Sequence, residues 1–136
     1  MGDIDKAERV SMQRAIIFYL LAIVLVFSLV ITGRENDPVR LLPWFVTIGL
    51  AAANIFTVGL LRSRRLKALV NDESTRQHRA MAITSGFWAA LVAALLLSLL
   101  ATLLPMTAIL TARTILTATL VATLVSFATL ELRAAR

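Results

Sequence analysis

The chain contains no cysteine, which excludes disulfide staples, thiolate metal sites and thiol–disulfide chemistry. A single histidine, His78, cannot build a bis-histidine haem site. Carboxylates are missing from the long apolar runs, and Glu131 stands only at the end of the last one. There is no HExxH pair, P-loop or nucleophile elbow. We therefore expect no catalytic residues, no metal and no cofactor, and we read the protein as a non-enzyme.

What remains is overwhelmingly apolar. Hydrophobic residues make up 59% of the 136 positions and the mean hydropathy is +0.83. A globule of this length has too little interior to bury that much apolar surface, and lipid is the simpler solvent for it. Four runs approach the roughly 20 residues needed to cross a bilayer core. They cover 15–32, 41–61, 83–104 and 114–132. Each is continuously apolar rather than alternating, which excludes β-barrel strands. The first is too long for a signal-peptide core, follows acidic residues, and lacks a small-residue cleavage site before "ITGREND". The fold expected is all-α: one polytopic domain of four transmembrane helices.

Charge orients it. Lys6, Arg9 and Arg14 precede the first run; Arg62, Arg64, Arg65, Lys67, Arg76 and Arg79 separate the second from the third; Arg133 and Arg136 follow the fourth. Only Arg34, Arg40 and Arg113 remain for the opposite side. The positive-inside rule then puts both termini and the 62–82 segment in the cytoplasm, as expected of a multi-pass protein in a bacterial inner membrane. Trp44 and Trp88 are candidates for the membrane interfaces, with helix packing an equal reading for Trp88. Arg113 is expected at the outer headgroups with its stem snorkelling; the alternative is a place inside the bundle.

Within the runs, small residues recur at helix-contact spacing: Gly86, Ala90, Ala94 and Ser98 in the third, Gly49 and Ala53 in the second. Small side chains let helix backbones approach closely in lipid, so these positions are expected at helix contacts or at a homo-oligomer interface. Asn54 is the one strongly polar side chain near the middle of a run, and its amide needs partners. Thr119, Thr123 and Ser126 share a face that offers hydroxyls, unless each threonine bonds its own i−4 carbonyl. The two groups together are the best candidate for a polar cavity. Small four-span drug exporters carry a membrane glutamate in their first span, where this chain has only Ser28. Nor is the charged second-span pattern of four-span glutathione-using enzymes present.

The segment 62–82 reads as a helical hairpin. Basic residues follow the second run, near a helix C-terminus, and "NDE" opens the next helix near Asp72, where acidic residues suit the dipole. Arg62, Arg64, Arg65, Lys67, Asp72, Glu73, Arg76 and Arg79 are the candidate partner-binding residues. A bland account is available, in which they set orientation and meet anionic headgroups.

One element has a likeness. Asn71, Asp72, Glu73, Thr75 and Arg76, followed by Gly86, Phe87 and Trp88, resemble a motif of small uncharacterised bacterial four-helix inner-membrane proteins. The resemblance covers about twenty residues. Some such proteins look like the membrane halves of modules whose other half is a small helix-turn-helix regulator. It implies a regulatory or scaffolding role: holding a soluble cytoplasmic partner, such as a transcription regulator, at the membrane, without direct nucleic-acid binding. The alternatives are a small-molecule or lipid-binding transport protein and an accessory subunit of a larger membrane complex.

Overall fold

The computed structural model describes residues 3–32, 38–57 and 73–134, all helical apart from one short link. The helices are α1 (Asp3–Thr32), α2 (Pro38–Thr57), α3 (Glu73–Ala101) and α4 (Ala108–Ala134). Three of them contain stretches long and apolar enough to cross a membrane: Met12–Thr32, Arg76–Ala101 and Ala108–Arg133. The apolar part of α2, Leu41–Ile55, is shorter. At 1.5 Å per residue it extends about 22 Å, less than the roughly 30 Å of a hydrocarbon core. Positions 58–61 of the run expected there, and 62–72 of the expected hairpin, lie outside the described residues.

The α3–α4 link is local chemistry. Backbone bonds from Thr102, Leu103 and Leu104 back to Leu99 and Leu100 tighten the end of α3. Pro105 stands in the link and opens neither helix. Thr107 instead caps α4, its Oγ1 accepting the Leu110 N–H at 3.3 Å, which satisfies one donor that the first helical turn leaves free.

The tertiary order follows from which faces are small or shaped to pack. On α1, Ala15, Phe18, Ala22, Leu25 and Thr32 are buried, a three-and-four spacing that lays one seam along the helix. The opposing seam on α4 holds Arg113, Thr117, Leu124, Phe127, Ala128 and Glu131. The two helices run antiparallel. Tyr19 OH meets Thr129 Oγ1 at 2.8 Å near one end, Phe18 and Phe127 stack edge-to-face at 5.2 Å, and Arg113 meets Thr32 at the other end. Helix α3 packs principally on α4, and α2 leans on α1 and α4. Thus α4 is the centre of the bundle. We call the end where α1 and α3 begin and α4 finishes the proximal end, and the opposite one the distal end.

Outside this core the helices are greasy all round. Phe27, Ile31, Leu95 and Leu103 are each more than 60% exposed. In water such a surface would drive association; a helix apolar on every face is matched instead to lipid.

Candidate functional site

Two clusters of polar side chains are built into the bundle, one at each end. The distal cluster is a three-helix junction around Arg113, which is 3% exposed. Its Nη1 donates to the Thr32 carbonyl at 2.8 Å and its Nη2 to Thr32 Oγ1. Thr32 is the last residue of α1, so the cation caps a helix C-terminus, where free carbonyls and the macrodipole both favour it. The guanidinium carbon lies 5.0 Å from the ring centroid of Trp44, within cation–π range. Trp44 is itself 2% exposed, and its indole N–H donates to Thr117 Oγ1 at 3.2 Å. Among the described residues Arg113 has no carboxylate partner. Two buried atoms, Arg113 Nε and Ser28 Oγ, are without hydrogen-bond partners there. Among the described residues, the helix terminus and the aromatic face are what stabilise the cation.

This corrects two expectations. Arg113 does not snorkel outward; its guanidinium is enclosed by α1 and α2. Trp44 is not a belt residue, because its N–H finds Thr117 and its ring is covered by Arg113. Trp88 does face outward, at 60% exposure, and makes an edge-to-face contact with neighbouring Phe87 rather than with another helix.

At the proximal end, Arg14 and Glu131 form an ion pair at 3.7 Å with both side chains nearly buried. Arg79 reaches a small cavity where all four helices meet, lined also by Phe18, Ile55, Ala82, Thr123 and Phe127. Around them Arg9, Arg76 and Arg133 are exposed. Of the other candidate partner-binding residues, Arg62, Arg64, Arg65, Lys67 and Asp72 lie outside the described residues, as does the side chain of Glu73. No family model, characterised protein or solved structure matches the chain.

The small-residue positions divide. Gly86 is buried against α4: a Cβ there would collide with Thr123 Oγ1 and come within 3.1 Å of the Thr119 carbonyl oxygen. Ser85 Oγ donates to the Ala122 carbonyl at 3.3 Å in the same contact. Ala90 and Ala94 are half-buried, while Ser98 is exposed. Ala82 and Leu97 complete the buried line of α3. On α2, by contrast, a Cβ on Gly49 would meet nothing within 4 Å, and Ala53 is exposed. That pair faces away from the bundle, because α2 packs through Leu41, Trp44, Ala51 and Ile55 instead.

The cavity expected from Asn54 and the α4 hydroxyls is not assembled. Asn54 Nδ2 donates to the Leu50 carbonyl of its own helix at 2.8 Å. Thr119 and Thr123 donate to Ile115 and Thr119 carbonyls at 2.7 and 2.8 Å, and this side of α4 faces α3. A hydroxyl or amide satisfied within its own turn needs no partner across the bundle. The distal junction escaped sequence reasoning because Thr32, Trp44 and Arg113 are far apart in the chain. Its one signal was a lone charge at the edge of an apolar run, Arg113 just before 114–132.

Proposed function

We propose that the protein is a non-enzymatic anchor in a bacterial inner membrane that holds a soluble cytoplasmic partner on its basic proximal end. The partner class that the sequence motif points to is a small helix-turn-helix transcription regulator. The reading takes α2 as a fourth span completed by residues beyond Ile55, with both termini and the 62–82 segment inside. One observation carries it. Helix α3 is continuous from Glu73 to Ala101, about 43 Å at 1.5 Å per residue and so longer than a bilayer core. Its first turns, with exposed Arg76 and half-buried Arg79, are therefore a stiff extension of a packed membrane helix. A docking surface on such an element is held in place without ordering cost at the moment of binding.

A second reading, an accessory subunit of a larger membrane complex, draws on the outer side of α3, where Phe87, Trp88, Leu95 and Leu99 are all exposed. Two experiments separate these readings. Cysteines at Ser63 and Ser74 are expected to resist an impermeant thiol reagent in intact cells while one at Asn36 labels; labelling at Ser74 reverses the orientation. Purification in mild detergent from the native host then identifies companions. A soluble protein that is lost when Arg62, Arg64 and Arg65 become Lys supports the anchor, since Lys keeps the charge but not the bidentate fork. An integral membrane complex that survives that change supports the subunit reading.

A further inference from the structure

We infer that the side of α3 turned away from α4 pairs with the same side of a second copy of this chain, making a parallel homodimer in the membrane. The inference is independent of the anchor reading. It gives the outer side of α3 a different occupant from the larger complex of the second reading.

Helix α3 is held on one side, where Ala82, Gly86 and Leu97 lie buried against the bundle and α4 is its main neighbour. On the other side Gln77, Met81, Thr84, Trp88, Leu91 and Leu95 are all exposed. They alternate by four and three along one continuous helix, and 3.6 residues per turn collect them in a single stripe roughly opposite Gly86. This alternation is the one with which two parallel helices mesh, crossing at about 20°.

Hydrocarbon does not satisfy this side of the helix. The Trp88 indole N–H and the hydroxyl of Ser98, which flanks the stripe, both belong to the apolar stretch Arg76–Ala101. Among the described residues neither has a hydrogen-bond partner. Thr84 differs, because its hydroxyl donates to the Ala80 carbonyl of its own helix at 3.0 Å. A polar group facing lipid chains without a partner is costly.

Self-complementarity names the occupant. Copies inserted in the same direction are related by a two-fold axis along the membrane normal, so each residue meets its own equivalent or one a turn away. Ser98 then meets Ser98 of the second copy, and a hydroxyl is both donor and acceptor. Helical side chains lean toward the N-terminus, which carries the Trp88 indole to the height of Thr84. The Thr84 oxygen, its own proton given to Ala80, keeps a lone pair for the indole N–H of the second copy. Charge does not oppose the pairing: among Arg76, Gln77, His78 and Arg79, the residue in the stripe is the neutral Gln77. Lipid chains carry no acceptor, whereas a second copy brings both that the stripe requires.

The test uses the full chain in native membranes, where the absence of cysteine makes single replacements unambiguous. Leu91→Cys and Leu95→Cys are expected to form a disulfide-linked species of twice the chain's mass on mild oxidation. Leu96→Cys, equally exposed but off the stripe, is expected to form far less. Dimerisation is then measured by energy transfer between labelled copies diluted in liposomes. Trp88→Phe keeps an aromatic ring and removes one donor from each copy; two membrane hydrogen bonds lost per dimer weaken it about eightfold. Leu96→Ala is expected to leave it unchanged. Stripe cysteines that cross-link no more than Leu96→Cys overturn the proposal. So does cross-linking to a different protein, which gives this side of α3 to the larger complex. Undiminished dimerisation of Trp88→Phe overturns it as well. The altered side chains are exposed, and an unchanged thermal midpoint verifies that each variant is folded.

Discussion

Gly86→Ala adds one methyl group where α3 meets α4, and the structure makes its consequence calculable. In an isolated helix the change is favourable by about 1 kcal/mol, since glycine is the poorer helix former. In the bundle the new Cβ would enter Thr123 Oγ1 and approach the Thr119 carbonyl oxygen to 3.1 Å. The hydroxyl cannot simply turn aside without giving up its 2.8 Å bond to that carbonyl, and a membrane hydrogen bond averages about 0.6 kcal/mol. The carbonyl belongs to helix backbone, so the helices must also separate by a few tenths of an ångström. Overpacking of this kind costs about 1–3 kcal/mol. The sum of these terms is a net loss of about 1–2 kcal/mol, opposite in sign to the propensity effect. Thr123→Ala removes the atom struck first, so the double variant is expected to recover about 1 kcal/mol as coupling between contacting sites. Thr123→Ser keeps the hydroxyl and should rescue much less. Reversible unfolding of the reconstituted protein, followed by helical circular dichroism, supplies all five stabilities. A Gly86→Ala protein as stable as wild type, or a double variant with no coupling, refutes the close approach of α3 and α4.

Three further outcomes are expected from the same unfolding assay. Arg113→Lys replaces a two-pronged contact on Thr32 and a flat contact on Trp44 with a point charge; a loss of about 2–3 kcal/mol is expected, whereas Arg113→Met, which removes the buried charge at similar volume, should cost less than Lys. Glu131→Ala should destabilise by somewhat under the 3–5 kcal/mol typical of orphaning a buried charge, and exchanging Arg14 and Glu131 together should recover most of it. Asn54→Leu should change stability by no more than about 0.6 kcal/mol, because its amide bonds its own helix; a larger loss points to a partner across the bundle.

Much of the architecture was legible along the chain because it depends on local quantities. Length and hydropathy of a run decide whether it suits lipid, so three long apolar helices and their approximate limits followed directly from composition. The i−4 alternative for the threonines was also visible, since it needs only one turn of helix.

The sites were less legible, because no local signal records which face of an all-apolar helix turns inward. A water-soluble helix marks its inner face by contrast with a polar outer one, and here that contrast is absent. Gly86 and Gly49 look alike in sequence, each opening a small-residue pattern, yet one is pressed against Thr123 and the other meets nothing. Tertiary packing alone decided that α4 is central, that Arg113 closes the end of α1 under cover of Trp44, and that Arg14 is spent on Glu131 while Arg9, Arg76 and Arg133 stay exposed. Composition determined the solvent this chain requires; close approach of helices, which small side chains permit but do not direct, determined which charges it hides and which it presents.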